Sequence, residues 1–230
     1  MKKIYIAAYH QSKFGKLLDM TIPKIVANAV TETCSEIGAE PAALDVGSVG
    51  ATCNLSLNEQ GLLSGLMADV PGMATKPIEA VENACASGGQ AVLSVIAKLQ
   101  MGLGEVGLAV GFEKMRDHEG KMDGALIGKV LGYFSHPAER EGKVYVFPHL
   151  FAEVMRDYMA AHGVGERDLA EISAREYGNG NHNPYAQMQK VQVTLDEAAT
   201  AAGRNRYIVD GLPLKTYDCS QITDGYAGLI

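Results

Sequence analysis

The chain has no apolar run approaching the ~18 residues of a membrane-spanning helix, no block of like charge and no C-x-x-C cysteine pair. Each absence closes off a class. Without a long apolar run, no helical membrane span is expected. The 20 Lys+Arg face 27 Asp+Glu, a net charge of -7 without a basic cluster. That balance argues against a protein that coats duplex nucleic acid, because neutralising phosphates gives such proteins their affinity. Four cysteines, Cys34, Cys53, Cys85 and Cys219, are too few and too scattered for a disulfide scaffold or a zinc ribbon. They read as thiols of a reducing, cytoplasmic compartment, and no ligand spacing points to a metal site. With 47% hydrophobic and 20% charged residues the composition is neither disordered nor fibrous. A length of 230 residues suffices for one large domain or two small ones.

Glycine is abundant, 26 residues against 8 prolines, and falls mainly between apolar segments, where turns and close helix contacts require it. The opening MKKIYIAAYHQSKFGK puts two lysines before an apolar stretch, as a secretion signal does. Residues 4–9 are too short for the hydrophobic region of such a signal, and His10, Gln11 and Ser12 follow at once. They read as a first strand. A helix is predicted over residues 22–37, with Thr21 as N-cap, Pro23 in the first turn, Gly38 past the end, and Ile25, Val26, Ala29, Val30 and Ile37 as its buried face. Further strands are predicted over 46–53, 78–82 and 106–111, and helices over 58–68 and 86–101, the latter closed by Gly102. The alternation implies a layered α/β fold with a largely parallel core sheet.

After Gly111 the character changes. Five of the six histidines (His118, His136, His149, His162 and His182) lie in residues 112–205, with helices predicted over 150–162 and 167–177. This reads as a long excursion between two strands, and such excursions carry binding function. Residues 223–230 are strand-like. An α/β layer stopping on a fresh strand would leave apolar surface bare, so a further half is expected beyond Ile230 or in a partner.

The most informative stretch is Glu82-Asn83-Ala84-Cys85-Ala86-Ser87-Gly88-Gly89-Gln90-Ala91. A strand ends, a cysteine sits at the turn, and a helix of small residues begins, apolar nearly all round and so expected to run through the protein's middle. A thiol at a helix N-terminus meets unpaired N–H groups and the positive end of the dipole, which favours a thiolate by roughly 0.3–2 kcal/mol. A base such as histidine is still needed to activate such a nucleophile. The same pattern also fits a small buried cysteine.

The runs NACASGGQA (83–91) and GEVGLAVGFEKM (104–115) closely resemble the nucleophile region of the thiolase family, particularly its sterol-carrier-type and archaeal-type branches. The resemblance continues through LFAEVMRDYMAAHGV, NPYAQ (183–187) and LPLKTYDCSQITDGYAGL (212–229). It implies the layered αβαβα thiolase fold of two βαβαβαββ halves. This chain would supply the first half with the nucleophile (1–111), the loop domain for acyl-CoA binding and oligomer contacts (112–205), and a last region opening the second half (206–230). The resemblance makes Cys85 the residue that becomes an acyl-cysteine. It makes coenzyme A the co-substrate, with no permanently bound cofactor. The activating histidine, the acid/base cysteine and further oxyanion donors belong to the family's second half and are not matched here. Implied partners are acyl-CoA and CoA, a second copy of the chain, and a small zinc-ribbon/OB-fold accessory subunit of the kind the archaeal-type branch associates with. An aromatic or dicarboxylic acyl-CoA fits as well as acetoacetyl-CoA.

Ser220, four residues before Asp224-Gly225, matches a family serine that touches the pantetheine arm of CoA, though a turn hydroxyl fits equally. His149 falls in the region bordering the acyl pocket, where a surface histidine is the competing reading. Arg140, Lys143, Lys190, Arg204 and Arg206 are candidates for the phosphates of CoA. Asp224-Gly225 is expected to shape the start of its strand, Asn183-Pro184-Tyr185 to fix a loop, and Cys219 to be inert packing. Gly102-x-Gly104-x-x-Gly107 fits a dinucleotide-binding expression but follows a helix and precedes a strand, the wrong order. Three competing functions remain: a condensing synthase sharing the cysteine, a non-catalytic thiolase-like partner subunit, and a cysteine hydrolase. The NACASGGQA and NPYAQ runs favour thiolase over the first, and a hydrolase lacks a local histidine partner.

Overall fold

The computed structural model describes residues 2–117 and 119–230; His118 lies outside the described residues. The chain divides into two units, Met1–Met122 with Thr223–Ile230, and Asp123–Ile222. The first runs β1 (Tyr9–Gln11), α1 (Ile22–Ser35), β2 (Val46–Gly50), α2 (Asn54–Asn58), α3 (Leu63–Ala68), β3 (Ile78–Val81), α4 (Ser87–Gln100) and β4 (Gly107–Glu113). The second holds α5 (Gly124–Gly132), α6 (Pro137–Arg140), α7 (Val146–His162), α8 (Glu166–His182) and α9 (Leu195–Ala199), after which the chain returns as β5 (Gly225–Leu229). Among the described residues no helix is long and apolar enough to cross a membrane.

Local chemistry explains where elements begin and end. Thr21 caps α1 by accepting from Lys24 N at 3.4 Å, with Pro23 in the first turn. The helix stops at Ser35, so Ile37, expected on its buried face, is 45% exposed. Of the helix predicted over 58–68 only 63–68 forms, as α3; α2 ends at Asn58, and Glu59 and Leu62 between the two adopt left-handed φ of 54° and 48°. The first strand starts only at Tyr9. Before it, Ala7 and Ala8 both donate their N–H to the Ile230 carbonyl, at 2.6 and 3.1 Å.

The sheet has the order β1-β5-β4-β2-β3. It is mixed rather than largely parallel: β2 lies parallel to β3 and β4, whereas β5 runs antiparallel to both β4 and β1. The reason is topological. β4 leaves the sheet and β5 comes back beside it in the opposite direction. Residues 225–229, expected to open a second half, are therefore interior to this sheet.

Alternation along the central strands covers both faces. Val49 of β2 and Leu108, Val110 and Phe112 of β4 join the core made by Ile25, Val26, Ala29 and Val30 of α1 with Met67 of α3. Val46 and Ala109 face the other way, onto Ala91, Val95 and Leu99 of α4. Contrary to a helix buried all round, α4 hides one face only, and Leu93 is 60% exposed. A single layer of this unit packs against it.

Polar anchors fix the sheet's ends. The buried Asp224 carboxylate accepts from Leu17 N (3.1 Å), Met115 N (2.8 Å), Arg116 N (2.9 Å) and Lys114 Nζ (2.9 Å). Gly225 follows because a Cβ there would lie 1.8 Å from the Phe14 ring. The second unit is helical, with α5 packed on α7 and α8 on α9. Its connecting segment is knotted by polar groups. Fully buried Lys215 reaches Glu166 at 3.1 Å and Asp218 at 3.8 Å. Ser173 donates to Asp218 (2.8 Å), and Asn205 donates to the carbonyls of Glu197, Ala198 and Thr200.

Candidate functional site

Cys85 stands on the turn between β3 and α4 and is the exposed cysteine; Cys34 and Cys53 are buried and Cys219 half-buried. The turn is tight. Ala84, immediately before the thiol, has a left-handed φ of 45°, a conformation that costs a residue with a Cβ about 1–2 kcal/mol. Ala86 N bonds Asn83 O at 2.9 Å and Ser87 N bonds Ala84 O at 3.1 Å. Such a strained turn persists only where its surroundings over-determine it.

Two features do so. Gly50 of β2 and Gly111 of β4 pair in register, forming a notch in the sheet. A Cβ on Gly50 would lie 2.1 Å from the Ser87 carbonyl oxygen, and one on Gly111 would lie 3.2 Å from Gly88 Cα. The first turn of α4 therefore presses directly onto the sheet backbone, which only glycine allows. The second feature is a cluster of hydroxyls and one carboxylate. Ser87 Oγ accepts from Asn83 N (2.9 Å) and lies 2.7 Å from Ala84 O; Thr52 Oγ1 also lies 2.7 Å from Ala84 O and 2.8 Å from Ser87 Oγ. Two hydroxyl protons serve these three contacts. Behind them, Glu113 at the end of β4 accepts from the N–H groups of Thr52 and Cys53.

The charges here are set by burial. The Glu113 carboxyl is pushed above the usual carboxylate range by burial, against the pull of the Thr52 and Cys53 N–H donors. Burial, then the negative charge of Glu113, pushes the Cys53 thiol up to about 12, so it stays protonated at neutral pH. Cys85, at the start of a helix whose N-terminus no side chain caps, is the thiol open to solvent.

Ser220 and His149 belong to the second unit and do not come together. Ser220 lines a cavity of ≈ 320 Å³ with Ile172, Tyr177, Met188, Tyr217 and Cys219. Burial and then Asp218 raise the Cys219 thiol. His149 sits on α7, its Nε2 3.4 Å from Glu153, which also holds Lys143 at 2.5 Å. Arg140 and Lys143 line another cavity, of ≈ 350 Å³, with Lys129, Tyr133 and Tyr145. Arg204 lines a third beside Asp196 and Glu197, and Arg206 donates to its own turn at Gly203 O, 2.9 Å. Tyr185 N bonds the Asn183 side chain at 2.9 Å, a local turn. The rejected glycine motif has packing work: a Cβ on Gly104 would lie 2.3 Å from Asp45, and one on Gly107 2.5 Å from Val95. Sequence reasoning missed Thr52, Ser87, Glu113 and Lys129. The one available signal was Glu113, a carboxylate closing an apolar strand.

Comparison with known proteins bears on family and fold. A family profile described as "Thiolase, N-terminal domain" matches residues 4–230. The chain is 30% identical to an acetyl-CoA acetyltransferase of Methanothermobacter thermautotrophicus, over 100% of this chain and 57% of that protein. It is 26% identical to the benzoylsuccinyl-CoA thiolase subunit BbsB of Thauera aromatica, over 100% of this chain and 55% of that one. The chain thus spans about half the length of the curated relatives it matches. Among solved structures, human mitochondrial 3-ketoacyl-CoA thiolase in complex with CoA superposes with a TM-score of 0.72 at 16% identity, over 98% of this chain and 63% of that one. The Ltp2-ChsH2(DUF35) aldolase superposes with 0.66 at 22% identity, over 97% and 54%.

Proposed function

Proceeding from the fact that this chain belongs to the thiolase family, we propose that it carries the nucleophile of an acyl-CoA C-acyltransferase working through an acyl-Cys85 intermediate. The observation that carries this reading is the exposed Cys85 thiol on its strained turn at the start of α4. In the degradative direction the Cys85 thiolate attacks the 3-keto carbon of a 3-ketoacyl-CoA, forming the C–S bond. The bond between C2 and C3 then breaks, and C2 leaves as the enolate of acetyl-CoA and takes up a proton. The acyl group remains on sulfur until the thiolate of free CoA attacks it, forming a new thioester and releasing the Cys85 thiolate. The reverse sequence joins two thioesters.

Splitting carbon–carbon cleavage into two acyl transfers turns one difficult step into two easier ones. Each passes through an oxyanion that preorganised N–H donors must hold; the family resemblance makes the Cys85 backbone N–H one of them. It assigns the activating histidine, the acid/base cysteine and the remaining donors to the family's second half. CoA is a co-substrate rather than a resident cofactor. Lys129, Arg140 and Lys143 form a cationic lining suited to its phosphates, and the Ser220 cavity suits its pantetheine arm. A cytoplasmic homo-oligomer with a small accessory subunit is part of the same reading.

The test uses the full-length protein. Incubated with acetyl-CoA or a 3-ketoacyl-CoA, it should gain the acyl mass on the Cys85 peptide, and Cys85→Ala should abolish the adduct. A protein that stays unmodified across several acyl-CoAs would favour the partner-subunit reading instead.

A further inference from the structure

We propose that Thr52 and Glu113 are positioning residues for Cys85: together they form a clamp, reaching from the ends of two adjacent strands, that holds the nucleophile's turn at the start of α4. The inference rests on the acyl-Cys85 reading for its catalytic meaning, but its geometry stands without it.

The clamp has three links. The Glu113 carboxylate, at the end of β4, gathers the N–H groups of Thr52 and Cys53 just beyond β2. That fixes the backbone carrying the Thr52 side chain. Thr52 Oγ1 then reaches Ala84 O at 2.7 Å and Ser87 Oγ at 2.8 Å. Finally Ser87 Oγ accepts from Asn83 N at 2.9 Å. Thr52 thus meets groups on both sides of Cys85, one from the residue before it and one from the first residue of α4. Ala84 is the residue in the left-handed conformation. Its carbonyl receives Ser87 N and both hydroxyls, so the strained peptide is the one the clamp grips.

The clamp closes on a buried hydroxyl, although Thr52 and Glu113 themselves are only partly buried. Glu113 is pushed above the ordinary carboxylate range by burial, and Ser87 is 4% exposed. Removing the Thr52 hydroxyl leaves the Ala84 carbonyl and the buried Ser87 hydroxyl each short of one partner, so the missing bonds would be felt as misplacement of the turn. Neither Thr52 nor Glu113 is proposed to touch substrate.

The test is Thr52→Val, which keeps the shape and removes the hydroxyl, against Thr52→Ser, which keeps the hydroxyl, in the full-length protein. Two readouts are taken. One is acyl transfer from acetyl-CoA, resolved into kcat and KM. The other is the rate at which iodoacetamide alkylates Cys85, followed on its peptide, which needs no acyl transfer at all. Misplacing a reacting group by about an ångström costs on the order of a hundredfold. Thr52→Val should therefore lower kcat about ten- to hundredfold with KM unchanged and slow alkylation severalfold, and Thr52→Ser should restore both. If Thr52→Val does not fold, Glu113→Gln, which keeps one oxygen acceptor but loses the second, should show the same kcat loss in milder form. Wild-type protein that alkylates yet never accepts an acyl group would sink the proposed function, leaving the clamp to be judged on alkylation. A Thr52→Val protein with wild-type rates, including one that only melts earlier, overturns the clamp. So does a Thr52→Ser protein as impaired as the valine variant.

Discussion

The two units hold themselves together differently. The first is a sheet whose central strands are covered on both faces by apolar side chains, with α4 seated in a notch of paired glycines. A buried ion pair, Lys114–Asp224, lies at the sheet's end. The second has few fully buried apolar side chains, mostly alanines and valines, and ties its long connections with a buried lysine, an asparagine and carboxylates. It also leaves Phe151, Val154 and Tyr158 of α7 exposed. On the proposed function the difference separates two tasks. Backbone pressed on backbone leaves the turn of the proposed covalent nucleophile little room to move. The second unit instead offers a cavity lined by Lys129, Arg140 and Lys143, which suits the proposed anionic co-substrate.

The comparison can be broken most sharply at Gly50. An alanine Cβ there would meet the Ser87 backbone at 2.1 Å, with no flexible side chain to move aside. Gly50→Ala should cost about 3–5 kcal/mol, at the extreme of single substitutions, or prevent folding. Gly89→Ala, where nothing lies within 4 Å, should stay within about 0.5 kcal/mol of wild type. Denaturant unfolding of the pair measures both. Equal effects would mean that the notch does not seat α4.

Next comes the polar knot of the second unit. Lys215→Met removes the cation from between Glu166 and Asp218 while keeping most of the side-chain volume. Breaking a buried pair by removing one partner costs about 3–5 kcal/mol where both charges are sealed. Glu166 is partly solvated, its side chain 37% exposed, so about 1–3 kcal/mol is expected. Protease cleavage within residues 203–222 should accelerate while the Cys85 peptide stays resistant. Parallel loss of protection in both units would erase the distinction drawn between them.

What could be read from the sequence follows the same division. The α/β alternation, the Thr21 cap and the cysteine before a small-residue helix were legible because each is a local signal: a period, a capping hydroxyl, a turn followed by glycines. The break between α2 and α3 was not, since Glu59 and Leu62 take left-handed conformations that their types do not advertise. Nor was the mixed sheet, because β5 pairs with β1, more than two hundred residues away in sequence. At the site, Cys85 was visible and its support was not. Thr52, Ser87 and Glu113 come from three separate segments, and only the fold brings their side chains together. In the second unit, nothing in the sequence marks Lys215 as buried, yet the packing places it at 0% exposure.

The smallest effect tests whether a polar group within the first unit's apolar core matters less than the buried lysine of the second. Tyr226 of β5 packs in the apolar core and donates its hydroxyl to Glu32 at 2.5 Å. Burial, followed by that carboxylate, pushes the phenol up to about 12. Tyr226→Phe keeps the ring and removes one hydrogen bond to a charged group, so about 1–2 kcal/mol is expected, at or below the loss from Lys215→Met. The pH dependence follows from the direction of the shift. A phenol whose folded pKa exceeds its unfolded value of about 10 contributes stability that is fully present below pH ~10 and lost as pH rises through about 12. The gap between wild type and Tyr226→Phe should therefore be constant from neutral pH to about 10 and close above it, in unfolding measured against pH. A gap that widened in alkali would mean that the phenol is ionised in the folded protein and that the core of the first unit tolerates charge. The apolar sheet and the polar knot would then no longer be different ways of building.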